Sequence, residues 1–381
     1  MQIMGYRGSL GRWNIGAVFA MAACCLILPD RAPAQDVGSK TRLFLWGSRR
    51  APIASPRPSG ISDTTVYSPT DSVRNSWLLA YPASSPNGAA LIVIPGGGYD
   101  NLSPWTSEGT PAAGTLNGYG ITVFLLRYRV KPYGYPHQMW DVQRAVRWVR
   151  ANSAKYNIDP NRIGVLGFSA GGHVASTVAT HFDAGLSDSN ATNGSHWYPG
   201  PKDSIDLYSS RPNFQGLVYP MITMVQYVPG AGTRAYAYKA GRDIYIGTSP
   251  TQQLVDYTSN EKQVTAQTPP AFLNYGTADA TVDTLNSGAY RDSLKSKGVS
   301  VKTVVVPGGT HGSNTVKLDS LRTWMNLNGY FTPTSIRPGR VRARIPAQAL
   351  LPYRQPDARG RVSDHPVGPV FAVPVAEKKK D

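Results

Sequence analysis

The sequence predicts an α/β domain with a mostly parallel central sheet, helices on both faces and a loop-rich cap region. Three observations carry that prediction. Continuous apolar runs at Ala89–Ile94, Ile121–Leu126 and Arg162–Leu166 have the composition of strands buried on both faces, and stretches of helical spacing separate them. Gly167-Phe168-Ser169-Ala170-Gly171 joins the last of these strands to a small-residue helix, Gly171–Thr180. Two later strands, Ala271–Asn274 and Val301–Val306, each empty into a polar loop, one carrying Asp279 and the other His311.

The 381-residue chain opens on a segment that reads as a secretory signal. Arg7 and Arg12 precede an apolar run, Ile15–Leu28, too short to span a bilayer comfortably, and Ala32-Pro33-Ala34 offers a cleavage site. A lipoprotein signal ending at Cys24 is the rival reading, but Met21-Ala22-Ala23-Cys24 matches a lipobox poorly. Cleavage near Ala34 removes both cysteines, so the mature chain is expected to have no thiol chemistry, and to be secreted or periplasmic. No second hydrophobic stretch reaches membrane-spanning length.

The net charge of +16 would suggest a nucleic-acid binder if it lay on one folded face. Part of it lies instead in a Pro-rich tail from Thr332, with Arg337, Arg340, Arg342, Arg344, Arg354, Arg359, Arg361 and Lys378–Lys380. That composition reads as a disordered extension, so nucleic acid is not an expected partner; contact with anionic polysaccharide or envelope is the functional reading and a solvated tail the bland one.

Within the domain, Thr41–Ser76 is rich in Ser, Pro and Arg. Strands at Thr64–Tyr67 and Trp77–Tyr81 are expected to lead the sheet as antiparallel members. Ala89–Ile94 runs into Pro95-Gly96-Gly97-Gly98-Tyr99, whose glycines cost stability unless their backbone amides are wanted. Acyl transfer wants such amides, because its tetrahedral intermediate carries a negative oxygen. A helix is expected over Gly109–Asn117. Met139–Arg150 has helical spacing, with Met139, Val142, Val146 and Val149 on one face and Arg144, Arg147 and Arg150 outside it. After the Ser169 helix, polar Ala184–Arg211 is expected to form an excursion above the sheet. Phe214–Tyr219 resumes the core, Met221–Arg242 is expected to supply loop or short cap elements, and Thr251–Tyr257 a short helix.

Ser169, Asp279 and His311 thus follow strand ends in the order Ser, Asp, His, where open α/β sheets assemble their sites. In that arrangement His311 takes the serine proton, Asp279 holds the imidazole, and an acyl-enzyme forms and is hydrolysed without metal or cofactor. His173, one helical turn past Ser169, reads as a packing or hydrogen-bonding histidine. His137, His181, His196 and His365 lack zinc-ligand spacing.

Several stretches resemble a known group, the secreted bacterial acetyl-esterase-type enzymes of the α/β-hydrolase fold, whose members bear acetylxylan esterase or xylanase names. The similar stretches are Leu43–Trp46, Pro95–Tyr99, Gly167–His173, Thr180–Asp183, Ser209–Pro212 and Ser259–Thr265, and the resemblance runs from about Leu43 to Phe331. It implies Ser169 as nucleophile, His311 as base and Asp279 as its orienter, with oxyanion donors at Gly97, Gly98 and Ala170. The implied substrate is an acetyl ester of a plant polysaccharide or its oligosaccharides. Departures from the group's pattern are Ser107 in place of a histidine before Glu108-Gly109, Ala280 in place of a second acidic residue, and Asp283 in place of a proline after Val282. Tyr99 and Trp105, with Trp197 and Tyr198, offer aromatic walls for substrate, which keeps a feruloyl or other aryl esterase as an alternative. A non-catalytic carbohydrate-binding protein on the same fold is the alternative of another class. The expected organisation is a signal peptide at 1–34, a linker at 35–60, an α/β-hydrolase catalytic domain at 61–331 and the basic tail at 332–381.

Overall fold

The computed structural model describes residues 42–46, 75–102, 108–183, 203–226, 237–312 and 314–331. The predicted strand at 64–67 and the segments 1–34 and 332–381 lie outside them. Eight strands form one sheet: β1 (Arg42–Phe44), β2 (Trp77–Tyr81), β3 (Ala90–Ile94), β4 (Thr122–Arg127), β5 (Ile163–Phe168), β6 (Phe214–Val218), β7 (Ala271–Gly276) and β8 (Val301–Val306). Their order is β1-β2-β4-β3-β5-β6-β7-β8. The first two strands pair antiparallel and β2 runs antiparallel to β4, whereas every later pairing is parallel. The sheet therefore begins before residue 61: β1 falls in the segment expected to be a linker, and Leu45 and Trp46 just beyond it are buried. Trp46 is fixed there because its indole N–H donates to Ser76 Oγ at 3.0 Å and to Asp141 Oδ1 at 3.2 Å.

Strand alternation divides the core between two layers of helix. Ile92, Phe124, Val165, Leu217 and Leu273 share one cluster with α2 (His137–Ala151) and α3 (Ala170–Thr180), and with Tyr290 and Leu294 of α6 (Leu285–Ser296). On the other face, Phe214 and Phe272 pack on Trp324 of α7 (Leu318–Leu327), which lies beside α1 (Thr110–Gly118). Each fully buried aliphatic side chain contributes about 1.5–3 kcal/mol, and β3, β5, β6 and β7 are buried along their whole length. Helices α6 and α7 have no counterpart in the sequence reading. The short α4 (Lys239–Ile246) lies in the region expected to hold cap elements, and α5 (Gln252–Thr258) is the helix expected from Thr251, which caps it.

Helix α2 departs from expectation. Its apolar face is buried, but so are Arg144 and Arg147, at 1% and 0% exposure. The described end of the polar excursion, residues 203–211, lies on this face of the helix rather than above the sheet. Arg144 reaches Asp203 at 2.6 Å, Asp206 at 2.7 Å and the Leu45 carbonyl at 2.9 Å, while Arg147 reaches Asp183 at 3.3 Å and the Tyr208 carbonyl at 3.0 Å. A guanidinium is buried only when carboxylates and carbonyls take the place of water; the excursion supplies Asp203, Asp206 and the Tyr208 carbonyl, and Asp183 and the Leu45 carbonyl supply the rest.

Register then sets the site. Ile94 pairs with Gly167, Phe168 with Val218, and Gly276 with Val306. The loop after β3, the turn after β5 and Tyr219 after β6 are therefore brought together at the C-terminal edge, and the loops after β7 and β8 leave that edge side by side.

Candidate active site

Ser169 stands between β5 and α3 with φ +52° and ψ −122°, a conformation costly for a residue with a Cβ. The surroundings over-determine it. Its N–H donates to the Val218 carbonyl, and its own carbonyl accepts from the amides of Gly172, His173 and Met221. A methyl group on Gly167 would sit 2.2 Å from the Gly171 carbonyl oxygen, and one on Gly171 would sit 2.1 Å from that of Ile94. Both glycines let three backbones meet under the serine.

The three residues expected to act together do meet. The Ser169 hydroxyl lies 2.9 Å from His311 Nε2, and His311 Nδ1 lies 2.8 Å from Asp279 Oδ2. Because a carboxylate only accepts, Nδ1 carries the proton and Nε2 is left to accept from serine. The other Asp279 oxygen accepts the amides of Thr281 and Val282, each at 2.9 Å. Burial alone would push this carboxyl up; the hydrogen bonds from His311 and from those amides outweigh it and hold the group below the ordinary carboxylate range. Asp283 plays no part in this chain: its carboxylate accepts the Leu285 amide at the start of α6.

Gly97 and Gly98 follow β3 with φ +124° and +61°, and Ala170 is the first residue of α3. Among the described residues the amides of all three make no hydrogen bond, and the Ala170 amide sits at the positive end of the helix dipole. Of the residues offered as substrate walls, Trp105, Trp197 and Tyr198 lie outside the described residues, and Tyr99 is corrected. Its φ of +66° continues the left-handed turn of the glycines and carries the ring inward, where it is 0% exposed. It stacks on Tyr245 with centroids 4.6 Å apart and donates its hydroxyl to His173 Nδ1 at 2.6 Å. His173 in turn donates from Nε2 to the Thr258 carbonyl at 2.8 Å. Burial pushes the His173 imidazole down to about 3, so it is a neutral bracket between the loop after β3 and the helix after β5.

Two residues that the sequence reading did not place in the site stand beside Ser169. Tyr219, one position past β6, packs its ring 4.5 Å from the His311 imidazole and donates its hydroxyl to Glu108 Oε1 at 3.0 Å. Its place at a strand's C-terminal end was the available signal; Glu108 lies far from the strand ends in sequence, and its only signal was the Glu108-Gly109 pair of the family pattern. A polar cleft of about 310 Å³ opens next to Asp279, lined by Tyr238, Thr277, Ala280, Thr281, Asp283 and Thr284, so two of the departures from the family pattern sit at its wall. No group of three or more His, Cys, Asp or Glu suited to a metal occurs among the described residues, and none of their helices is long and apolar enough to cross a membrane.

A family model described as BD-FAE matches residues 79–294, more than half of the chain. An acetylxylan esterase of Xylanibacter ruminicola is 29% identical over 239 residues, covering 62% of this chain and 43% of that protein. A protein of Butyrivibrio fibrisolvens named endo-1,4-beta-xylanase B is 32% identical over 239 residues, covering 61% of this chain and 34% of its own length. The chain thus spans less than half the length of either curated relative. Among solved structures, the acetyl ester-xyloside bifunctional hydrolase of Caldicellulosiruptor lactoaceticus is 32% identical with a TM-score of 0.61, covering 77% of this chain and 97% of that one. The fold is that of the α/β-hydrolase esterases.

Proposed function

The chain belongs to the BD-FAE family, and on that premise we propose that it is a serine carboxylesterase that removes short acyl groups, acetyl above all, from plant polysaccharide or its oligosaccharides. The observation that carries this reading is the unbroken chain from Asp279 through His311 to the Ser169 hydroxyl, at 2.8 and 2.9 Å. Ser169 attacks the ester carbonyl while His311 Nε2 takes its proton, and Asp279 stabilises the imidazolium that forms. The carbonyl oxygen, now an anion, is held by the amides of Gly97, Gly98 and Ala170, donors already oriented before the charge develops. His311 returns the proton to the leaving alcohol, then draws one from water, which attacks the acyl-serine and frees the acid.

The acetyl preference is supported by two similar proteins, one named an acetylxylan esterase and the other an acetyl ester-xyloside bifunctional hydrolase. Comparing p-nitrophenyl acetate, butyrate and octanoate beside acetate release from acetylated xylan tests it. Turnover falling with acyl length together with acetate release is the expected result; preference for octanoate, or no release from xylan, contradicts the substrate. Export through the leading segment and retention on anionic polysaccharide through the basic tail complete the proposal. Deleting the chain beyond about Thr334 is expected to weaken salt-sensitive retention and leave small-ester turnover unchanged.

A further inference from the structure

We propose that Glu108 is a positioning residue for the reaction, the bracket that joins the amide loop after β3 to the ring packed on His311. This rests on the esterase reading above and assigns the site a part that the serine, histidine and aspartate do not supply. The carboxylate divides its two oxygens between two elements. Oε2 accepts the Gly96 N–H at 2.8 Å, and Oε1 accepts the Tyr219 hydroxyl at 3.0 Å. Gly96 is the residue immediately before Gly97 and Gly98, so fixing its peptide plane fixes where the next two amides begin. Tyr219 is the residue whose ring lies 4.5 Å from His311.

The packing around Gly96 shows how little slack this bracket has. A methyl group built on Gly96 would meet Ser169 Cβ at 2.8 Å, Glu108 Oε2 at 3.0 Å and the Phe168 carbonyl oxygen at 3.0 Å. The carboxylate and the nucleophile therefore face each other across the width of one absent methyl group. Tyr128 ties the same loop from another direction, donating its hydroxyl to the Pro95 carbonyl at 3.0 Å. Burial, and after it the Glu108 charge, push the Tyr219 hydroxyl well up, so it remains a donor to the carboxylate. With the Gly96 amide turned to Glu108, that amide is taken out of competition for the oxyanion, and the free donors are those of Gly97 and Gly98. A charged acceptor suits the task because an N–H or O–H bond to a carboxylate is stronger than one to a neutral oxygen.

What matters in this account is the acceptor at Gly96, and the variants separate it from the charge and from the fold. Glu108→Ala is expected to lower kcat on p-nitrophenyl acetate about 100-fold with KM within about twofold, the cost of donors displaced by a fraction of an ångström to an ångström. Glu108→Gln keeps an amide oxygen for Gly96 and is expected to recover to within about tenfold of the wild type. Tyr219→Phe keeps the ring against His311, removes only the second arm, and is expected to cost less than tenfold in kcat. Amide hydrogen exchange of the 95–101 segment supplies the readout that does not depend on turnover: faster exchange there in Glu108→Ala and Tm within a few degrees of wild type support the bracket. If Glu108→Ala does not fold, the Gln and Phe variants and their exchange rates decide alone. Glu108→Gln as impaired as Ala, a loss carried by KM, or exchange unchanged at 95–101 would each overturn the proposal. A wild-type protein inactive on every ester would instead sink the esterase reading, and the exchange comparison would still report whether Glu108 holds the loop.

Discussion

Two histidines flank Ser169, one at the open rim of the sheet and one in the sealed interior beneath it, and the difference between their surroundings separates chemistry from architecture. Both imidazoles bond through both nitrogens. His311, its side chain 16% exposed, lies between a carboxylate and the serine hydroxyl. His173 is 0% exposed, and its two partners, the Tyr99 hydroxyl and the Thr258 carbonyl, are neutral. A ring that must gain a proton during the reaction needs a negative partner to stabilise the imidazolium. A ring that must never gain one is best placed where burial forbids the charge. On the proposed reading the same side chain is a base after β8 and a tie bar in α3.

The largest effect that would sharpen this contrast is on the rim. His311→Gln is expected to lower kcat/KM on p-nitrophenyl acetate by about 10⁴-fold or more without loss of Tm, and Asp279→Asn by about 10³–10⁴-fold through the wrong tautomer. In the interior the order is reversed. His173→Gln is expected to lower stability by about 2–4 kcal/mol, measured by urea denaturation, while kcat stays within about tenfold of wild type. A catalytic collapse on a par with His311→Gln would erase the distinction.

The two sites also separate by pH. The folded pKa of His173 is pushed down to about 3 from an ordinary 6.5, so between these values the unfolded chain binds a proton that the folded one does not. Stability is then fully present above about pH 6.5 and declines as pH falls, by an order of a few kcal/mol at about pH 4. His137, buried and pushed down to about 4, adds to the same trend. Denaturation of His173→Gln across this window is expected to give a flatter pH dependence than the wild type; an unchanged slope would mean that the ring is not neutral in the folded state. The smallest effect is expected at Asp283→Asn, under about threefold on p-nitrophenyl acetate, because that carboxylate accepts the Leu285 amide and makes no hydrogen bond to His311.

Much of the rim was legible because each of its members lies at or shortly past a strand's C-terminal end: Ser169 directly follows β5, and Asp279 and His311 stand in the short loops that β7 and β8 empty into, so the strands led to all three. What lay between elements was not legible. Tyr99 follows three glycines, and a loop without periodicity does not tell whether its ring turns out to substrate or in to His173. The arginines of α2 read only as lying outside its apolar face, because two of the carboxylates that bury Arg144, Asp203 and Asp206, arrive from a segment with no pattern of its own. Glu108 reaches Gly96 and Tyr219 across loops, and nothing local in the sequence joins the three. Helices α6 and α7 escaped for a related reason, since few of their residues are buried and those of α6 include Asn286 and Ser287.

The central claim is that Ser169, activated by His311, is the nucleophile. It is tested most directly by treating the protein with a p-nitrophenyl alkylphosphonate and locating the adduct by peptide mass spectrometry. The account predicts one phosphonyl group per chain, on Ser169, loss of esterase activity in step with its formation, and reaction slowed by at least about 100-fold in His311→Gln. An adduct on another residue, or ester hydrolysis that persists once Ser169 is fully modified, would contradict it.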